Sequence, residues 1–538
     1  MMNYPLVLIF VAFFVVVSIV VTWWTTKSSK SAADFYVGGR SIPWIQTGIA
    51  MVGSYLSAAS FLGVAGDISV KGVDRIWLAI GFFGGYMALL FLIAGPLRNV
   101  GSYTVADAIY RRFPDRSIKL VVMIATVIIS AFYLVPQMVA TGKLFELLLG
   151  WNFLLVIIAT GILMCMYIVF GGMKATLYNQ VIQAVFLWIA MVAIVVFALV
   201  MFYGGNVERI LEIATGIVPP SIAGKNPDAV AAAAGKGYSE AITAVRAAMP
   251  QAPTAMTIGI QTPDIFSQVS TVLALLLGTA GLPHILIMFY TVPSARAAKK
   301  SLVVCIIGLG VFYLCSLFLG FICMNLVYPD LMAWMGAGKV GLAVNMSVLK
   351  VSHLIGGQLL MAISAAGAVA AVLSTAAGLM ITVASTISHD LYKVYINREA
   401  SEAQELNIAR ITTVAMSALS IFLAVLLKEQ NVAWLVTLAF GISASAIFPV
   451  MVANLWWKRF TRQAAMAAMV TGLAVSVFFI VLLLSGVNSF LGFSTVGGPG
   501  LFGITLSLLV LFGVTYATKD TGANVEEFFA LAHKEEKE

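Results

Sequence analysis

Charge is what this chain has least of. Asp, Glu, Lys and Arg make up only 10% of its 538 residues, against roughly 25% in a soluble globular chain. Hydrophobic residues make up 61%, and the mean hydropathy is +1.01. No water-soluble fold could hide that much apolar surface behind so few charges, so the composition specifies a polytopic membrane protein. Most of its length must be helix, because lipid offers exposed backbone N–H and C=O groups no partner. Cysteine is scarce as well: four residues, at positions 165, 305, 315 and 323, each inside an apolar segment. They read as small buried hydrophobes, and no disulfide is expected. The sequence has no metal-ligand cluster, nucleophile elbow, phosphate-binding loop or dinucleotide fingerprint; the Gly-Gly pairs at 171–172 and 356–357 make none. An enzyme is therefore not expected, and neither is an ATPase partner.

Apolar runs long enough to cross a bilayer number thirteen, at 4–24, 43–66, 77–97, 119–148, 152–170, 178–203, 265–290, 302–327, 356–388, 408–427, 431–455, 464–485 and 499–518. The first has no basic residue before it and no small-residue cleavage site after it. It reads as an uncleaved span ending at the interfacial pair Trp23–Trp24. With the N-terminus outside, 21 of the 31 Lys and Arg residues fall in inside segments, so the expected orientation is N-out, C-in. The net charge of +8 is accounted for by this bias and gives no reason to expect nucleic acid. The segment 204–264 is an external loop rich in Ala, Pro and Gly, in which the alanines near 233 are expected to form a short amphipathic helix. Residues 519–538 form a short polar cytoplasmic tail.

Two spans carry helix-breaking chemistry. MVGSYLSAASFLGVAGD (51–67) runs small and hydroxylated residues through the middle of the second span. GTAGLPHILIMFY (278–290) places Gly278, Gly281 and Pro283 within six residues of the seventh, with His284 beside the proline. Small residues also serve close helix packing. The two segments lie five spans apart, however, and paired interrupted helices at matching positions mark a midplane binding site in transporters built from inverted repeats. Spans 2–6 (43–203) and 7–11 (265–455) then form two five-helix repeats, with 4–24 before them and 464–518 after. In the ninth span Ala371, Ser374 and Thr375 stand at i, i+3 and i+4 on one helix face. Two hydroxyls and a nearby carbonyl suit a small alkali cation; the alternative is ordinary bonding of each hydroxyl to the carbonyl four residues back.

Taken together, SYLSAASFLG, LRNVGSYTVADA, YLVPQMVATGKL, FGGMKAT, GTAGLPHIL, LSTAAGLMITVASTISHDLY and AFGISASAIFPVMVANLWW resemble the sodium:solute symporter family, in particular its cation/acetate branch. The resemblance implies an all-α membrane protein of the LeuT-type 5+5 inverted-repeat fold, with extra helices. It also implies a cation site built from the backbone carbonyls of Gly53, Leu56 and Ala371 and the hydroxyls of Ser374 and Thr375; members near this branch use either Na⁺ or H⁺, and the hydroxyl ligands favour Na⁺ as coupling ion, with no other cofactor expected. Where some members carry a carboxylate that helps hold a second ion, this chain has Gln180, so a single coupling cation is expected.

No span centre carries an obvious Lys or Arg for an anionic substrate. Lys143 and Glu146 read as an interfacial pair, and neutral donors remain: half-helix N–H groups with Tyr55, Ser57, Gln137, Thr279, Gly281 and His284. His389 and Asp390 read as a helix-end or gate feature. The expected activity is cation-coupled uptake of acetate or another short monocarboxylate across a cell membrane, that of a bacterium by analogy. H⁺ coupling, or Na⁺ symport of another small solute such as an amino acid, are the alternatives. A channel would call for a repeated filter motif in a symmetric oligomer, and none is present.

Overall fold

The computed structural model describes residues 5–26, 31–57, 59–260, 265–428, 432–487, 489–490, 493–494, 499–522 and 524–534. The end of the 204–264 loop (261–264), the last four tail residues and the basic residues Lys27, Lys30 and Lys537 lie outside the described residues. Among the described residues the regular structure is all helix apart from a two-stranded ribbon pairing Ser489–Phe490 with Phe493–Ser494. Eleven described helices are long and apolar enough to span a membrane, or twelve with the bent pair Trp44–Tyr55 and Ala59–Lys71. One of the eleven, the 51-residue stretch Phe153–Tyr203, is two helices meeting at a kink, and it holds both segments 152–170 and 178–203. Gly172 interrupts it with φ 58° and ψ −155°, a conformation that a side chain would strain.

Both anticipated helix breaks are present. The first helix ends at Tyr55, and the chain bends by 62° before Ala59–Lys71 begins. The second runs Ile265–Gly281, passes through extended Leu282 (φ −63°, ψ 116°) and restarts at Pro283, whose ring fixes φ and removes the N–H. The breaks lie against the long helix Val340–Ser385, which packs on the first half-helix, on the turn at Ala59–Val64 and on Pro283–Leu286. The helices Arg116–Leu149 and Phe153–Tyr203 flank it. Side-chain caps set where the long helices begin: Asp115 accepts from Ser117 N–H, Asn152 from Leu154 and Leu155, and Ser294 from Ala297.

The 204–264 loop is more ordered than its composition implied. It forms four short helices, Glu208–Ala214, Pro220–Ala223, Pro227–Ala233 and Tyr238–Ala248. Val73 N–H donates to Ala255 O at 2.8 Å and ties the loop to the end of a span, while Ala255 N–H donates to Ile217 O at 2.8 Å within the loop. The tail also differs from a free polar end. Val525–Ala532 is a helix docked by Asn99 Nδ2 donating to Ala532 O (3.0 Å) and by Lys458 paired with Glu526 (2.7 Å). Its first turn carries Glu526 and Glu527, but Phe528, Phe529 and Ala532 face inward, an amphipathic pattern that Lys and Glu at its ends obscured.

Candidate functional site

Where the first helix stops, its hydrogen-bond ladder runs out. Leu56 N–H still reaches Val52 O at 2.9 Å, the last regular bond. Ser60 N–H, which would bond Leu56 O in a continuous helix, goes instead to Ser57 O at 3.0 Å, and Phe61 N–H joins it there. The carbonyl of Leu56 is thereby released, and Gly53 O receives no bond from Ser57 N–H. Gly53 itself is forced by packing, since a Cβ would lie 2.3 Å from Gln180 O.

Across the break, Ser374 Oγ and Thr375 Oγ1 are fully buried and have no hydrogen-bond partner. Their neighbours on the same helix behave differently: Ser364, Thr382, Ser385 and Ser388 each bond the carbonyl four residues back. The two hydroxyls therefore do not take the ordinary local bond. A buried polar atom without a partner costs about 1–3 kcal/mol, so a pair left open beside a released carbonyl is consistent with holding a cation by hard oxygens. Ala371 is buried one turn earlier on the same helix.

The other expected positions are also buried, though not all open. Tyr55 and Thr279 spend their hydroxyls on each other, 2.7 Å apart. Gly281 faces span eleven, where a Cβ would meet Ser443 Oγ at 2.8 Å, so its role is close packing. Half-helix donors at the second break are largely used locally, because Ile285 and Leu286 N–H both bond Leu282 O at 3.0 Å, and Gly278 O accepts from Ser443 Oγ. The open groups are side chains: both polar atoms of Gln137 and both ring nitrogens of His284 are buried and unpartnered. The Ser57 side chain on the first break is buried too, and shares a hydrogen bond with Tyr133.

Sequence reasoning missed three members of this cluster. At Gly378 a Cβ would lie 2.8 Å from Ser54 Oγ, 3.2 Å from Gln180 Nε2 and 3.6 Å from His284 Cδ2, so these groups converge on the space that glycine leaves. Gln180 Nε2 donates to Ser374 O at 3.1 Å, which ties the neutral amide to the hydroxyl pair. The ring of Tyr133 lies edge-on to His284 with centroids 5.6 Å apart, and to Phe440 at 5.3 Å. Gly378 stands four residues after Ser374 and Tyr133 four before Gln137. Helical spacing from positions already identified was the available signal.

A second cluster closes the basic end of the molecule. Lys119 Nζ donates to Asp107 Oδ1 at 2.6 Å and to Asp390 Oδ1 at 2.9 Å. His389 places Nδ1 3.1 Å from Glu405 Oε1 and Nε2 3.7 Å from Asp107 Oδ1, and Lys393 pairs with Glu405 at 2.7 Å. Ligand atoms of Asp107, His389 and Asp390 lie within 4.8 Å of one another. The Lys119 ammonium already bridges the two aspartates, so the group reads as an ion-pair network. Burial alone would raise the pKa of Asp107, but hydrogen bonds with His389 and Lys119 outweigh it and hold the carboxyl well below its ordinary range. Lys143 and Glu146 are not joined by an ion pair among the described residues; Glu146 is exposed and Lys143 half-buried.

With this geometry in place, comparison with known proteins is decisive about kinship. The family model for the sodium:solute symporter family matches residues 35–472. The chain belongs to the sodium:solute symporter family. Among relatives of this symporter, a protein named monocarboxylic acid transporter from Corynebacterium glutamicum is 38% identical over 460 residues, 84% of this chain and 79% of that one. An uncharacterized symporter, YwcA of Bacillus subtilis, is 37% identical over 454 residues, 84% of this chain and 81% of the relative. Among solved structures, a Na⁺-coupled sialic acid symporter in a substrate-bound, outward-open state superposes with a TM-score of 0.72. It covers 95% of this chain and 98% of that one at 14% identity, and so speaks for the fold alone. The symporter is thus a multi-pass, all-α membrane protein of the LeuT-type fold that moves a small solute and is not an enzyme.

Proposed function

We propose that this symporter couples the inward movement of one Na⁺ to uptake of acetate or a similar short monocarboxylate, with its N-terminus outside and C-terminus inside the cell membrane of a bacterium. The observation that carries the reading is the pair Ser374 Oγ and Thr375 Oγ1, buried and unpartnered beside the helix break that releases Leu56 O. Gly53 O, Leu56 O, Ala371 O and the two hydroxyls would hold the ion. Gln180 contributes no charge, which favours a single coupling cation. The carboxylate would take the free donors of Gln137 and His284, with Ser57, Tyr55 and Thr279 on the wall of the site; Gly281 sets its packing.

The coupling has an electrostatic basis. Either ion alone must be stripped of water to enter a buried site, whereas a cation and an anion together offset each other's charge in a low-dielectric cavity. Each ligand then raises the affinity for the other by the same factor. The 38% identity to a monocarboxylic acid transporter supports the substrate class. A second reading, H⁺ coupling, is favoured by one feature: His284 is buried with both ring nitrogens unpartnered, which suits a proton carrier.

The test is uptake of labelled acetate by proteoliposomes holding the purified protein. Accumulation under an inward Na⁺ gradient at equal pH is expected. Accumulation under an H⁺ gradient without Na⁺ would transfer the coupling to His284 or to the substrate's own proton. Equilibration without accumulation under both gradients would overturn symport of this substrate.

A further inference from the structure

A row of polar side chains runs down the helix Arg116–Leu149 from the candidate site to the ion-pair network at its far end. Lys119, Thr126, Ser130 and Gln137 are spaced by 7, 4 and 7 residues. At about 100° per residue they fall on one narrow face, and at about 1.5 Å per residue they cover roughly 27 Å. Thr126 and Ser130 are buried, and their hydroxyls have no partner, not even the carbonyl one turn back. Thr141, on the same helix, does make that local bond, with Gln137 O at 3.0 Å. The two ends of the row have known neighbours. Next to Gln137, the ring of Tyr133 meets His284, and at the other end Lys119 is held by Asp107 and Asp390. Asp390 Oδ2, fully buried, is also without a partner.

Unpartnered hydroxyls are costly in a packed interior and add nothing to its stability. They are useful where the same surface is wetted in another conformation. We propose that the Thr126–Ser130 face is the cytoplasmic release route of the transporter, closed in this conformation by Lys119 bridging Asp107 and Asp390. Opening the mouth means separating Lys119, which starts the Arg116–Leu149 helix, from Asp390, which follows the Val340–Ser385 helix. A carboxylate leaving by this route passes a cation whose aspartate partner it can replace. Thr126 and Ser130 then supply hydrogen bonds between the buried site and the mouth.

This inference rests on the transport reading, but its labelling test needs neither substrate nor coupling ion, so failure of one is distinguishable from failure of the other. In a background with the four native cysteines replaced, Thr126→Cys and Ser130→Cys would be exposed to a membrane-impermeant thiol reagent in inside-out and in right-side-out vesicles. Ile124→Cys, on the 38% exposed lipid-facing side of the same helix, is the control. Expected is reaction of 126 and 130 from the cytoplasmic side only, several-fold faster when Asp390→Asn loosens the bridge, with 124 unreactive. No reaction from the cytoplasmic side in either background, or reaction from the outer side, would overturn the proposal. Ser130→Ala gives an independent reading should Asp390→Asn fail to fold. A thermal midpoint unchanged or raised, with a several-fold slower initial uptake, is the expected pair of results. Any other combination assigns the hydroxyl no role in transit and counts against the route.

Discussion

At the scale of single residues, the site is defined by hydroxyls that decline their usual bonds. The face carrying Ala371, Ser374 and Thr375 was readable from spacing, because i, i+3 and i+4 need only one helix. Its convergence with Ser54, Gln180 and His284 was not, because those groups come from three other elements and meet at the missing Cβ of Gly378. Two substitutions separate ligand chemistry from packing. Ser374→Ala combined with Thr375→Ala should abolish Na⁺ stimulation of uptake while leaving the thermal midpoint unchanged or higher, since no bond made in this conformation is lost. Normal Na⁺ stimulation in that double variant would place the ion elsewhere. Gly378→Ala puts a methyl group 2.8 Å from a movable hydroxyl, so uptake should fall about tenfold or more, at a cost in stability of roughly 1–3 kcal/mol. Gly66→Ala meets the immovable carbonyl of Val344 at 1.9 Å and should fail in folding as well. Uptake together with size-exclusion profiles distinguishes the two cases.

At the scale of elements, hydropathy located the spans, and Gly and Pro located the breaks, because both signals are local. What stayed hidden was whether polar loop segments fold into short helices held by distant carbonyls. The second break makes a clean test. Pro283→Ala restores an N–H one turn after Thr279 and lets the ladder close, so uptake should drop while the thermal midpoint holds or rises. Unchanged uptake would show that the interruption serves no transport purpose. The network at the basic end makes another. Asp107 has a folded pKa below its ordinary value of 3.8, so its stabilisation is present above that value and is lost as pH falls through the folded one. Asp107→Asn should therefore lower the thermal midpoint near neutral pH, with the difference from the parent shrinking below about pH 4. Melting curves across that range would show a pH-independent difference if the ion pairs are energetically idle.

At the scale of the whole molecule, the turn before Arg116–Leu149 is stitched to the C-terminal segments by one residue that sequence inspection counted only as part of the inside charge. Arg112 is fully buried and pairs with no carboxylate among the described residues. Its guanidinium donates instead to the main-chain carbonyls of Asn454, Trp457, Lys458, Phe460 and Thr521. The rings of Phe113, Phe460, Phe528 and Phe529 lie 5.0–5.9 Å from its carbon, and burial pushes its pKa down to about 10. Lysine cannot reproduce a five-donor fork, so both Arg112→Lys and Arg112→Met should cost several kcal/mol, on the order of 3 or more. Detergent melting curves would detect this, and a shift of under a degree would refute the assignment.

The partners of Arg112 also set a schedule for biosynthesis. They lie 342 to 409 residues further along the chain. At about 5–20 residues per second, the ribosome needs on the order of 20–80 s after making Arg112 to deliver the last of them. Through that interval the arginine has to stay in water at the membrane face, and the early helices wait in the bilayer without their final neighbours. Nascent chains released short of Thr521 would then remain open to proteolysis between the third and fourth spans, and protection there would arrive in one step when the tail is complete.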